Sequence, residues 1–248
     1  MTWLLSPLET LWCAVALLTA YGVRGVAGFG SGVVATPLMA YVLPLSTIAP
    51  LITIVGFVIS VRQALREWGL IAWKALLEFV PGILIGVPLG LLAFKTADPE
   101  LLSRLLGGYV VVYALYSLFG QQLRMRDLRW PRWTVVPIGA LGAVVATLFG
   151  GMAGPLYVTY FDSMRLAKRV FRVTVSTTLL VLSVVRSVGY FASGVFRPDD
   201  LGLIAAAWIP VMFGTWAGEW VHDRISQEAF RRIVGALLIV SGVGLLLR

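Results

Sequence analysis

Ten apolar runs separated by short polar segments occupy nearly all of this 248-residue chain. They fall near residues 8–23, 29–43, 47–65, 70–93, 101–120, 134–148, 153–163, 173–193, 200–220 and 229–247. A helix that spans a bilayer needs about 20 mostly apolar residues, and its backbone polar groups are satisfied within the segment. Only 13% of the residues are charged, which is too few for the surface of a soluble domain of this length. The pattern predicts an all-α polytopic membrane protein of the cell inner (plasma) membrane.

The two halves of the chain are related in sequence. A shift of 128 residues superimposes five pairs: Gly86 and Gly214, Gly90 and Gly218, Glu100 and Glu228, Arg104 and Arg232, Gly107 and Gly235. Upstream, a shift of 122 to 124 pairs Gly28 with Gly150, Gly32 with Gly154 and Arg62 with Arg186. Internal duplication is common in transporters. We expect a single transmembrane domain over 1–248, with repeat 1 at about 8–120, a cytoplasmic linker at about 121–133 and repeat 2 at about 134–248.

The distribution of basic residues distinguishes two topologies. If residues 8–43 and 134–163 each crossed once, the loops would carry nine Lys and Arg on one side and nine on the other. If each region is a hairpin that returns to its own side, fourteen fall on one side and four on the other. The positive-inside rule favours the second arrangement. It predicts two inverted repeats with both termini periplasmic, each opening with a glycine-broken helical hairpin followed by three spanning helices.

Both predicted hairpins are rich in glycine. The first contains GVRGVAGFGSGVVATP (Gly22 to Pro37) and the second FGGMAGPLYVTYF (Phe149 to Phe161). Each glycine costs a helix about 1 kcal/mol relative to alanine, and broken helices at matching positions of two repeats indicate a transport site. The candidate substrate-binding glycines are Gly28, Gly30, Gly32, Gly150, Gly151 and Gly154. The alternative is that they only allow close helix packing, as small residues do in membrane proteins.

These stretches carry a resemblance to a known family. The segments GFGSGVVATP and GGMAGP, with IG–x–x–x–G in the first half and FG–x–x–x–G in the second, resemble the TauE/SafE family of membrane permeases. The resemblance covers essentially the whole chain and implies transport of small sulfur-containing anions such as sulfite or sulfonates. Ser31 interrupts the first glycine run, Met152 and Ala153 interrupt the second, and Thr159 stands where the repeat alignment suggests proline. These departures concern the substrate more than the fold.

Two arginines within apolar runs are candidates for binding an anion. Arg186 lies in VSTTLLVLSVVRSVGYF, and Arg62 lies in the equivalent run of the first half. An ionisable residue inside a span costs at least about 2.5 kcal/mol, and a guanidinium offers paired donors that match the oxygens of an oxyanion. Snorkelling to the interface is the alternative for both. Arg24, at the turn of the first hairpin, could line the site or reach lipid headgroups.

Two further residues are weaker candidates. Thr177 belongs to a cluster of hydroxyl residues that enters the Arg186 run, although such hydroxyls more often bond to the preceding helical turn. Glu78 is a candidate for proton coupling, and an ion pair with Lys74 one turn earlier is the alternative.

The composition excludes several functions. The net charge of +8 lies in short loops, so we expect no nucleic-acid partner. One histidine, His222, and one cysteine cannot form a zinc or soft-metal site, and no Walker-type phosphate loop occurs. We therefore expect no enzyme activity, no metal and no cofactor. The predicted function is secondary transport of a small, sulfur-containing anion across the lipid bilayer, with proton coupling and a homodimer left open. The alternative is a non-transporting membrane subunit or assembly factor.

Overall fold

The computed structural model describes residues 5–119, 130–196, 200–221 and 227–246. Its α-helices are α1 (Pro7–Ala27), α2 (Ser31–Met39), α3 (Leu45–Arg66), α4 (Trp73–Thr96), α5 (Pro99–Phe119), α6 (Val135–Phe149), α7 (Gly154–Ser163), α8 (Lys168–Ala192), α9 (Asp200–Val221) and α10 (Gln227–Leu246). Each predicted apolar run is helical, and no strand occurs in the described ranges. The all-α prediction is confirmed. Most of the predicted linker, 121–129, and His222 lie outside the described residues.

Among the described residues, six stretches are long and apolar enough to cross a membrane. They are Pro7–Ala27, Leu45–Arg66, Trp73–Thr96, Arg132–Phe149, Lys168–Ala192 and Leu201–Val221. Many of their outward-facing side chains are large and apolar, for example Leu84 and Leu89 on α4 and Ile209 and Phe213 on α9, each more than half exposed. A bundle with such an exterior requires a lipid environment.

The chain reverses direction at each glycine-rich segment. Helix α1 begins at a capping box, in which Ser6 Oγ accepts from the amide of Glu9 and the Glu9 carboxylate accepts from the amide of Ser6. After the break at 28–30, α2 returns along α1, and Trp12 Nε1 donates to the Leu38 carbonyl at 2.7 Å. In the second half, Tyr157 Oη on α7 donates to the Gly139 carbonyl on α6 at 2.9 Å. Both predicted helical hairpins are therefore present.

The long helices are paired across the two halves. Helix α1 packs on α9, α6 packs on α4, α3 packs on α8 and α5 packs on α10. Glycines allow the first two pairs to approach closely. A Cβ added at Gly25 would lie 2.6 Å from the Thr215 carbonyl of α9, and one at Gly82 would lie 2.5 Å from the Val136 carbonyl of α6. The repeat-related glycines, Gly86 with Gly90 on α4 and Gly214 with Gly218 on α9, lie in these same two interfaces.

Two cavities lie at opposite ends of α3. The vestibule, of about 520 Å³, is lined by residues near the end of α3 and the start of α8. The second, of about 510 Å³, is lined by residues 40–46 before and at the start of α3, by residues at the end of α4 and the start of α5, and by Leu245 near the end of α10. The end of α3 therefore lies at one end of the bundle, and the connections from α2 to α3 and from α4 to α5 lie at the other.

Candidate functional site

A small central cavity of about 30 Å³ lies between the two hairpin breaks. Gly30, Ser31 and Gly32 of the first hairpin and Gly151 of the second line it, together with side chains of α3 and α8. This volume exceeds the roughly 10–15 Å³ that a single water requires, so the cavity has room for a water-sized group. The structure therefore brings three of the six predicted glycines, Gly30, Gly32 and Gly151, to one cavity.

The backbone at the breaks requires glycine. Gly30 and Gly151 have φ of +93° and +94°, and Gly28 and Gly150, which end α1 and α6, have φ of +83° and +68°. Side chains are strained in this left-handed region. A Cβ at Gly32 would lie 2.5 Å from the Gly150 carbonyl, so the two breaks are in backbone contact.

Helix α2 begins at this cavity without a side-chain cap. Its N-cap is Gly30, which has no side chain to accept from the first amides. Free amides at a helix start carry a partial positive charge and can donate to an anion. Because Ser31 and Gly32 line the cavity, the first turn of α2 is positioned to contribute in this way.

Arg24 reaches the cavity from the last turn of α1. Its side chain is 6% exposed, and Nη2 donates to Ser60 Oγ at 2.5 Å while Nη1 donates to Ser31 Oγ at 3.4 Å. Its Nε is buried without a hydrogen-bond partner. The sequence left Arg24 between a site role and the headgroups, and the structure places it in the protein interior.

Arg186 reaches the same cavity from α8. Its side chain is 1% exposed, and Nη2 donates to Tyr190 Oη at 3.1 Å. Tyr190 in turn donates to the Thr147 carbonyl at 2.6 Å, one turn before the break in α6. Nε of Arg186 has no partner, and a Cβ placed on Gly151 would be 3.7 Å from Nη1. The guanidinium is thus anchored to the end of α6 and directed at the break.

Neither buried guanidinium forms an ion pair within the part of the chain that the structure describes. Ion pairs among the described residues include Arg104 with Glu100, Arg132 with Glu78 and Arg169 with Glu67, whereas Arg24 and Arg186 pair with no described carboxylate. An unpaired charge in a low-dielectric interior is strongly unfavourable. Two such cations at one cavity therefore create a site that an anion would stabilise.

The other candidates lie elsewhere. Arg62 is exposed on the wall of the vestibule. Thr177 is buried and donates to the Val173 carbonyl of its own helix at 2.8 Å. Glu78 is ion-paired with Arg132 rather than with Lys74. Gly154 begins α7 beside Phe29, and a Cβ there would be 3.5 Å from Phe29 Cδ2. A Cβ at Gly28 would meet the side chain of Arg172.

The vestibule is strongly basic. Its lining includes Arg24, Arg62, Arg66, Lys168, Arg169 and Arg172, against the two carboxylates Glu67 and Glu219. Arg24 lines both the vestibule and the central cavity. A surface of one sign attracts small ions of the opposite sign and raises their local concentration. The cavity at the other end of the bundle is lined mainly by apolar residues, with one Glu and one Arg.

Comparison with known proteins identifies the family of the chain. The family model described as Sulfite exporter TauE/SafE matches residues 12–245. The chain belongs to the TauE/SafE family. It is also similar to a protein of Comamonas testosteroni described as probable inner membrane transporter protein TsaS, with 26% identity over 179 residues, 71% of this chain and 72% of the relative. No solved structure matches. The predicted family is confirmed, and the chain is a multi-pass member of a family of membrane transporters.

Sequence reasoning missed several of the residues at these cavities. Ser60 and Ser183 line the central cavity, but a single serine in an apolar run gives no indication of its direction. Arg172 and Gln63 line the vestibule. Arg172 was counted only as one of several loop cations. Its distance from Arg169 and Lys168, about one helical turn, would have placed it on the same face of α8.

Proposed function

We propose that this TauE/SafE-family protein is a secondary transporter that carries a small sulfur-containing oxyanion, such as sulfite or a sulfonate, through the central cavity. The observation that carries the proposal is the pair of buried arginines, Arg24 and Arg186, facing one cavity without a carboxylate partner. Guanidinium groups bind oxyanions through paired, charge-assisted hydrogen bonds. The description of the family as sulfite exporters supports a sulfur oxyanion as the ligand.

The position of the cavity suits transport. It lies at the break of two helices, between a basic vestibule at one end of the bundle and a larger cavity at the other. Broken helices at a midplane site are a common feature of secondary transporters. A non-transporting subunit or assembly factor would have no need for two unneutralised charges at such a site.

The orientation is also part of the proposal. The end of the bundle that carries the vestibule is the one to which the fourteen basic residues were assigned. The positive-inside rule then places the vestibule in the cytoplasm and both termini in the periplasm. The two halves, which begin at opposite ends of the bundle, would be inverted repeats.

Uptake by proteoliposomes tests the function. A panel of labelled sulfite, sulfonates and carboxylates identifies the substrate, and Arg186→Gln and Arg24→Gln test the site. A hydrogen bond to a charged group contributes about 1.5–3 kcal/mol, so each variant should lower transport roughly 10- to 100-fold. Arg186→Lys, which keeps the charge but not the paired donors, should lie between.

Lys74→Gln is the matched control, because Lys74 is exposed on α4 and lines none of the three cavities described above. It should transport at the parent rate. Rates within twofold of the parent for folded Arg186→Gln and Arg24→Gln would contradict the site, and an inactive parent would contradict the function.

A further inference from the structure

The inner wall of the vestibule contains three unsatisfied hydrogen-bond donors. Nε of Arg24, Nε2 of Gln63 and Nε of Arg172 are each buried without a hydrogen-bond partner, and all three residues line this cavity. A buried donor left unpaired costs about 1–3 kcal/mol, and more when the group is charged. Three such donors at one cavity indicate that a ligand with several acceptor oxygens accepts hydrogen bonds from them.

Hydrogen bonds hold these three side chains in place. Arg172 Nη2 donates to the Gly25 carbonyl at 3.4 Å, so the Arg172 side chain extends from α8 to the last turn of α1. Ser176 lies one turn later on α8, and its hydroxyl donates to Gln63 Oε1 at 2.8 Å. The side-chain amide oxygen of Gln63 is therefore hydrogen-bonded, whereas its N–H₂ group has no partner. Arg24 is fixed to Ser60, one turn before Gln63 on α3. Helices α1, α3 and α8 therefore present the donors together.

Gly28 makes room for the Arg172 arm. A Cβ at Gly28 would lie 2.7 Å from Cγ and 2.9 Å from Nε of Arg172. Any side chain at position 28 would therefore displace the side chain of Arg172. It would also be strained, because the backbone at Gly28 has a φ of +83°. The glycine that ends α1 thus serves the vestibule rather than the central cavity.

We propose that Arg172, Gln63 and Arg24 form a second anion site, which loads the central cavity with the same small oxyanion. The proposal rests on the transport function inferred above and adds a binding position to it. Arg24 belongs to both sites, so an oxyanion that moves from the vestibule to the central cavity stays in contact with one cationic side chain. Of the two vestibule carboxylates, Glu67 lies 3.9 Å from Arg169, which leaves the basic groups in excess.

Direct binding of labelled sulfite to purified protein in detergent, without added anionic lipid, tests the second site independently of transport. Arg186→Gln weakens the central site and should retain measurable binding. Adding Arg172→Gln or Gln63→Leu to it should weaken the remaining binding at least tenfold. Adding Lys74→Gln should change it less than twofold, because Lys74 is an exposed cation at the start of α4 that does not line the vestibule. Monodisperse elution and an unchanged melting temperature establish that each variant is folded.

The outcomes separate the two proposals. Loss of all binding in Arg186→Gln alone, equal binding in Arg186→Gln with and without Arg172→Gln, or no binding by the parent would overturn the second site. Loss of the residual binding when anionic lipid is added would identify a lipid-headgroup site and would also overturn it. A parent that binds as expected but moves no anion in proteoliposomes would contradict the transport function and leave the second site standing.

Discussion

Arg24 and Arg186 share a cavity but are held by different partners. Arg24 is held by serine hydroxyls, whereas Arg186 is held by a tyrosine that is itself bonded to the end of α6. All of these partners are neutral, so they orient the guanidinium groups without removing their charge. An anion that enters the cavity therefore meets two cations that are already positioned, which reduces the cost of ordering them on binding.

Glu78 is the residue at which proton coupling can be tested. Its carboxylate pairs with Arg132, and it lines none of the cavities described above. Glu78→Gln removes both the ion pair and the titratable group, while Arg132→Gln removes only the ion pair. We expect both variants to exchange labelled anion across the membrane at the parent rate, and only Glu78→Gln to lose stimulation of uptake by a pH gradient. An identical response to the gradient in parent and both variants would make Glu78 a purely structural partner of Arg132.

The sequence predicted Arg186 at the site more clearly than Arg24. Arg186 lies deep in a long apolar run, so its burial follows from its position along a helix. Arg24 lies in a glycine-rich turn, where the sequence does not specify how far α1 penetrates. In the structure α1 extends over 21 residues, and this length carries Arg24 into the protein interior. Arg62 was predicted from repeat symmetry, but the structure places its repeat partner Arg186 in the centre and Arg62 on the vestibule wall.

At the scale of the helical elements, the glycines have two separate roles. Gly28, Gly30, Gly150 and Gly151 break the helices of the hairpins, and glycines on α1, α4 and α9 allow helices to pack at short distance. The sequence pattern contained both roles and could not assign each glycine, because a break and a packing face use the same residue type. The positive φ values separate the two groups.

The hairpin glycines can be tested by adding a side chain. Gly30→Val introduces a β-branched residue at a φ of +93° on the cavity wall. We expect it to raise the half-saturation concentration at least tenfold or to eliminate uptake. The same prediction for Gly154→Val tests whether the start of α7 approaches the anion. Uptake per folded molecule and the melting temperature are measured together. Lower stability with unchanged affinity would assign either glycine to the scaffold.

The packing glycines make a different prediction. A Cβ at Gly86 would collide with Ala140 and Ala143 of α6, whereas one at Gly108 of α5 meets nothing within 4 Å. Overpacking costs about 1–3 kcal/mol, so Gly86→Ala should lower the melting temperature by several degrees. Gly108→Ala, the matched control in a helix, should leave it unchanged or raise it slightly, since alanine favours helix. Equal melting temperatures for the two variants would contradict the close packing of α4 on α6.

At the scale of the whole molecule, each long helix packs on a helix of the other half, and these pairs have the symmetry expected of two repeats. If α1 corresponds to α6 and α4 to α9, the pair α1–α9 becomes α6–α4 when the halves are interchanged, and both pairs are present. The pairs α3–α8 and α5–α10 join equivalent helices of the two halves. This packing supports the proposed inverted repeats. The helical content and the hairpins were predictable from apolar runs and glycines, but partner choice depends on three-dimensional packing that no single run encodes.

Cysteine labelling tests the proposed orientation. In a Cys13→Ala background, a cysteine at position 128, in the linker outside the described residues, should be protected from a membrane-impermeant reagent in intact cells. A cysteine at position 98, in the turn between α4 and α5, should react. Protection of 98 together with labelling of 128 would reverse the orientation, and equal reactivity would contradict the hairpin topology.

The glycine face of α1 has a consequence for how the protein is made. Its partner, α9, is synthesised more than 170 residues later, so α1 is made long before its permanent neighbour is available. Until then a chaperone, lipid or the insertion machinery must cover a surface shaped for another backbone. Because the long helices pair across the two halves, neither half alone contains the packing partners that it needs to fold. Two halves made as separate polypeptides would each supply the helices that the other lacks.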